Sequence, residues 1–254
     1  MGYFAARSAP LGRVAPEVVA AVFHNFAFER VARALPAAWE FAGPETALRA
    51  RLDSAAAALR RYGITDGDDV VLAAELAGIA ARHADLDGRP LFAANRALPW
   101  PDDPVAALWH AATLLREHRG DAHVAALTAA GISGREANVL HVAAGRVSRD
   151  FIMRSRDYDE STFQRHERSM AARGLLDDAG ALTPQGRQLK EDVETTTDRL
   201  ALGALAALDD DDVERLFQTM TPLTRLAVAG GDVPAITPMA LSRRDLNDDS
   251  ANLG

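Results

Sequence analysis

The 254-residue sequence contains no cysteine, which excludes a disulfide framework, a thiolate nucleophile, an iron–sulfur cluster and Cys-ligated zinc. It has no run approaching about 18 uninterrupted apolar residues, and its first residues lack a basic segment followed by an apolar stretch, so neither a membrane span nor a signal peptide is predicted. A reducing, cytoplasmic setting and no membrane partner are expected. No Ser-His-Asp order, nucleotide-binding glycine loop or complete metal-ligand set is present, so no catalytic motif, metal site or cofactor is named by the sequence. Runs of β-branched residues are scarce, and strands should be few and short.

What the chain does have is an ordinary globular balance, with 48% apolar and 25% charged residues, so a sizeable core is available. A net charge of −8 argues against a protein coated in nucleic acid, while leaving room for a local basic face. Apolar residues recur at helical spacing almost throughout, and the predicted fold is mostly α. One helix is expected from Pro16 to near Pro36, a second from Pro44 to Tyr62 and a third from about Asp69 to Ala84. After the prolines at 99, 101 and 104, helix resumes from Pro104 to His118. Gly120 reads as a helix C-terminus and Asp121 as the N-cap of the next helix.

From Gly134 the pattern changes to three short helices, approximately 135–144, one after Ser148, and one opened by Asp159 and closed by Gly174. Leu175-Leu176-Asp177 and Ala181-Leu182-Thr183, separated by Asp178-Ala179-Gly180, then read as a short hairpin. Thr183-Pro184 pairs an N-cap with an N1 proline and starts a helix running towards Leu208, and a last helix covers about 211–229. The expected organisation is an N-terminal helical domain that is a candidate for ligand binding (1–131), a winged-helix domain with one short β-hairpin and C-terminal helices (132–229), and a flexible tail (230–254).

The stretch Arg173-Gly174-Leu175-Leu176-Asp177 to Leu182-Thr183-Pro184-Gln185-Gly186-Arg187 resembles the wing and following helix of MarR-type winged-helix regulators. The whole chain is similar to an actinobacterial group that joins this module to an N-terminal helical domain. The resemblance implies that the helix 159–173 is a recognition helix, with Thr162, Arg165, His166, Ser169 and Arg173 along its DNA-facing side and Phe163 and Met170 turned inward. Arg154 and Arg156 join the DNA-binding set, beside Arg146 and Arg149. From Arg146 to Lys190 there are nine basic residues against seven acidic ones, so this module is less acidic than the chain. Two features depart from the family: the wing tip carries Asp177 and Asp178 in place of an Asp-x-Arg element, and Asp157, Asp159 and Glu160 crowd the start of the recognition helix.

The densest polar chemistry lies between Leu108 and His123. His110, Thr113 and Glu117 share one helical stripe, and Arg116, His118, Arg119 and His123 cluster about the expected break at Gly120. Such a corner exposes backbone N–H groups and could hold a carboxylate, phosphate or polar aromatic ligand. A metal site is disfavoured, because His110 and Glu117 lie about 10 Å apart along a helix axis. The structural alternative has Asp121 capping its own helix, Glu117 paired with an arginine and the histidines satisfied in the core. His24 and Asn25, between Phe23 and Phe26, either face the same cavity or form an interhelical hydrogen bond, and Arg7 either closes over the pocket or frays. The leading functional expectation is a small-molecule-responsive winged-helix regulator that binds DNA as a homodimer through its terminal helices. The alternatives are a non-DNA-binding enzyme or carrier with His110 in a dry pocket, and a protein-binding scaffold.

Overall fold

The computed structural model describes residues 1–234 and 237. The chain starts with α1 (Gly2–Ser8) and a 3-10 turn, then α2 (Pro16–Phe23) and α3 (Phe28–Ala34), where one helix was expected. The break falls at His24-Asn25, with His24 at φ +50°. Across this break Phe23 and Phe26 both turn inward against Phe4, with ring centroids 5.0–6.2 Å apart. The short α4 (Ala38–Phe41) and the long α5 (Pro44–Arg61) and α6 (Asp68–His83) follow close to their expected limits. After α7 (Pro90–Arg96) comes α8 (Pro104–Ala129), 26 residues without interruption.

The uninterrupted α8 corrects the expected break at Gly120. Asp121 is indeed a cap, but for a different helix: its buried carboxylate accepts the N–H of Phe92 in the first turn of α7, at 2.9 Å. An orphan donor at one helix terminus is thereby satisfied from a helix 29 residues away. Gly120 then stays inside the helix over Glu117, whose carboxylate a Cβ there would meet at 3.7 Å.

The later half contains α9 (Gly134–Ala143), α10 (Arg149–Arg156), α11 (Glu160–Ala172), α12 (Pro184–Leu202) and α13 (Asp210–Ala229). Each start follows from local chemistry: Ser133 and Glu136 form a capping box, and Ser148, Asp159, Thr183 and Asp209 accept first-turn N–H groups. Ile152, Phe163, Met170 and Leu175 are essentially inaccessible and form one cluster with Ala126 and Leu127 of α8 and Val193 of α12. Among the described residues the expected two-stranded hairpin is reduced to a single antiparallel bridge, Leu176 with Leu182. Asp177 accepts the N–H groups of Ala179 and Ala181, and α12 begins at Pro184, which leaves too few residues for a ladder.

The two C-terminal helices are spent largely inside the molecule. α12 lies along α8 and α13 along α6, with Leu216 against Leu76 and Ala77, and Leu223 against Val70 and Ala73. α13, which chain order groups with the winged helix, thus packs on the N-terminal helices. Of the segment expected as a tail, Gly230 sits against the Tyr62 ring and Asp232 accepts from Tyr62 and Arg61; beyond Pro234, all but Thr237 lies outside the described residues. The contact between halves is close: a Cβ on Gly134 would stand 1.9 Å from the carbonyl oxygen of His24, so the His24-Asn25 turn docks on the start of α9. No helix among the described residues is long and apolar enough to cross a membrane.

Candidate functional site

α10, a left-handed turn at Asp157 (φ +59°) and α11 form two helices joined by a tight corner, with α9 behind them. Phe163 and Met170 of α11 are fully buried, which sets the phase of the helix. At about 100° per residue, the positions opposite them are 161, 164–165, 168 and 172, and all of these are exposed. The outward stripe is therefore Ser161, Gln164, Arg165 and Arg168. Of the residues expected there, Arg165 lies on it and donates to Thr162 Oγ1 at 3.0 Å. Thr162 and His166 lie on its flank, half-buried, with His166 edge-on to Tyr158 and its pKa held low by burial and by Arg135. Ser169 and Arg173 are exposed but both bond Glu136, each at 3.3 Å.

The carboxylates crowding the start of α11 are tied up locally. Arg149 holds Glu160 through two contacts of 2.9 Å, reaches Glu167 at 3.6 Å and lies over the Phe163 ring. Asp159 takes the Thr162 N–H and the Ser161 hydroxyl, which keeps its carboxyl below the usual range, and Asp157 pairs with Arg33 of α3. Arg154 is exposed at the end of α10. Arg156, assigned to the DNA-facing set, is 9% exposed and lies 4.3 Å over the Phe26 ring, so it does not join the outward stripe.

The polar residues of α8 face different neighbours and do not converge. His110 is buried edge-on to Trp100, with Nε2 unpartnered and its pKa lowered to about 4 by burial. Thr113 is half-buried. Glu117, 2% exposed, takes both arms of Arg7 at 3.1 and 2.8 Å and one of Arg116 at 2.5 Å, and the arginines around it hold its carboxyl below the usual range against the opposing effect of burial. His118 is buried against Phe92, and desolvation lowers its pKa to about 4. Arg119 reaches outward to Asp198 and Glu194, and His123 Nδ1 meets Thr197 Oγ1 at 2.9 Å. His24 stands at the α2–α3 break with Nε2 unpartnered, and the Asn25 carbonyl accepts from Asn138 at 2.9 Å. Among the described residues no three His, Asp or Glu side chains form a metal site.

Two helices joined by a tight turn on a mostly helical body have the form of a helix-turn-helix protein. The chain belongs to a helix-turn-helix family, whose model matches residues 1–234 and so takes in α1 to α8 as well as the α9–α11 unit. Comparison with curated proteins and with solved structures finds no match. The family supports a DNA-binding regulator.

The sequence reading missed Gln164 and Arg168 in the stripe, and Arg30 and Arg33 on α3. The first two were recoverable from the phase that Phe163 and Met170 impose. Arg30 and Arg33 carry no local signal, because their proximity to α10 arises from the α2–α3 break.

Proposed function

We propose that this protein is a ligand-responsive transcriptional regulator that presents α11 to the major groove. Ser161, Gln164, Arg165 and Arg168 face the bases, with Arg154 and Arg146 placed for phosphates. The observation that carries the reading is the state of charge around α11: the acidic groups at its start are matched by Arg149, Arg33 and the helix N-terminus, while Arg165, which also attracts Asp159, makes its one side-chain hydrogen bond among the described residues to a neighbouring hydroxyl and Arg168 stands exposed. A field that is acidic overall thus leaves a local cationic stripe where a groove-reading helix needs one. The MarR-type pattern at Arg173–Arg187 agrees with this use of the module.

The reading divides the chain into a regulatory N-terminal part and a winged-helix part from residue 132, with a homodimer formed through what α12 and α13 still expose, chiefly Leu202, Phe217 and Leu226. The test is fluorescence anisotropy of a labelled duplex from upstream of the protein's own gene against an unrelated duplex, at low and moderate salt. Tighter binding of the upstream duplex, weakening steeply with salt, is expected. Absence of binding, or equal affinity for both duplexes, overturns the reading.

A further inference from the structure

Arg156 has the least satisfied surroundings of any charged side chain described. It ends α10 with 9% of its surface exposed; its guanidinium lies over Phe26, and its Nε has no hydrogen-bond partner among the described residues. Burial disfavours its charge most; of its ionisable neighbours the Tyr3 and Tyr158 hydroxyls favour it, while the guanidinium groups of Arg30 and Arg7, of its own sign, oppose it, and no carboxylate is among them. The preceding hydroxyl, Ser155 Oγ, is also buried and unpartnered. Buried polar groups are normally bonded and a buried cation normally has its anion, as Arg7 has Glu117.

Both residues line a cleft of about 640 Å³ between α1, α3 and the end of α10. Tyr3, Phe4 and Phe26 line its apolar side and Arg30 and Arg33 add further positive charge. Asp157, the acid of the lining, is already engaged by Arg33. The volume is that of a small-molecule site.

We infer that this cleft binds a small organic monoanion, a carboxylate on a flat apolar body, with the carboxylate at Arg156 and Ser155 and the body against the Tyr3, Phe4 and Phe26 rings. A planar guanidinium matches a carboxylate fork and aromatic faces suit a flat body. A compact phosphate leaves the rings uncovered and adds charge beside Asp157. The site also bears on the corner between α10 and α11: Arg30 donates to the Arg154 carbonyl, Arg33 pairs with Asp157, and Arg135 donates to the carbonyls of Arg156 and Asp157 at 2.6 and 3.0 Å. An anion drawn to Arg156 therefore acts on the hinge that aims α11, and for this coupling alone the inference rests on the functional reading above.

The test is isothermal titration of the full chain with 2-naphthoate, with 2-naphthamide as the uncharged counterpart and inorganic phosphate as charge without a body. Naphthoate is expected to bind at least about tenfold more tightly than either, with Arg156→Met losing about tenfold or more and Arg30→Gln losing severalfold. The melting temperature of Arg156→Met without probe should be equal to or above that of the parent, a result a purely structural arginine would not produce. Failure of naphthoate to bind, equal binding of naphthamide or phosphate, or unchanged affinity in Arg156→Met overturns the site. Should Arg156→Met fail to fold, unchanged affinity in Arg30→Gln does so. DNA affinity is read on the same samples: naphthoate binding without effect on DNA affinity overturns the coupling and sustains the site, whereas absence of DNA binding overturns the regulator and leaves the site standing.

Discussion

Arg7 and Arg156 are both drawn into the interior of this molecule, and their company differs. Arg7 reaches from α1 to a carboxylate on α8 that is itself almost inaccessible, and the pair is bidentate. Arg156, at the end of α10, lies over an aromatic ring with no carboxylate partner in a cleft that opens to solvent. The first has the form of a structural tie between α1 and α8. The second holds a charge that folding alone does not require, and it sits beside the corner that orients α11. In the α8 interior the buried carboxylates Glu117 and Asp121 find partners within the chain and act as scaffold; on the proposed reading the α10–α11 side, where Arg156 finds none among the described residues, is the working surface.

The largest expected effect lies on the scaffold side. Glu117→Gln leaves Arg7 and the neighbouring Arg51 without their anion and should cost about 3–5 kcal/mol in urea denaturation, the usual cost of breaking a buried pair. A loss under about 1 kcal/mol would break the contrast. The scaffold should also be acid-sensitive. His110, His118 and His141 are held at about 4, first by burial, so the unfolded chain takes up protons below about 6.5 that the folded chain refuses until about 4, and stability falls across that window. Burial raises Asp121 to about 6, and this single carboxyl works in the opposite direction between about 6 and its ordinary value. With three groups against one, the urea midpoint should drop from pH 6.5 to pH 4.5, and more steeply in Asp121→Asn. A midpoint that holds or rises over that range contradicts the assignment.

Smaller effects sharpen the other side of the comparison. His110→Phe keeps the ring against Trp100 and removes the unpartnered Nε2, so its stability should change by less than about 1.5 kcal/mol, and the DNA affinity of this variant should stay that of the parent. Arg173→Ala removes a side chain tied to Glu136 on the flank of α11, and should weaken DNA binding less than Arg168→Ala does in the same anisotropy titration. If Arg173→Ala costs more, the stripe lies one residue round the helix from where its burial pattern puts it.

Much of this architecture was legible in sequence wherever the signal was local. Ser148, Asp159 and Thr183-Pro184 announce helix starts that the structure places within a residue, and the exchange of Gly and Pro around α5 marks its ends. What was not legible arises from tertiary packing. Asp121 has the composition of a local N-cap but serves α7, and the chain bends at His24-Asn25, where the turn docks on the start of α9. The histidine-rich stretch drew attention by density, yet a helix aims successive residues to all sides, and its polar groups end among α1, α7 and α12. The hairpin is limited to one bridge because α12 begins at Pro184, directly after Thr183 N–H has paired with the Leu175 carbonyl. Arg156 looks like one more basic residue in a basic patch, and only the α2–α3 break, which brings Phe26 over it, distinguishes it from Arg154.

The claim that α11 carries the working surface is tested most directly by the salt dependence of DNA affinity in the parent and in the Arg165→Ala, Arg168→Ala double variant. If both guanidinium groups displace counterions from phosphate, the slope of log affinity against log salt should fall in magnitude by about 2; an unchanged slope with unchanged affinity would place the DNA contact elsewhere on the molecule.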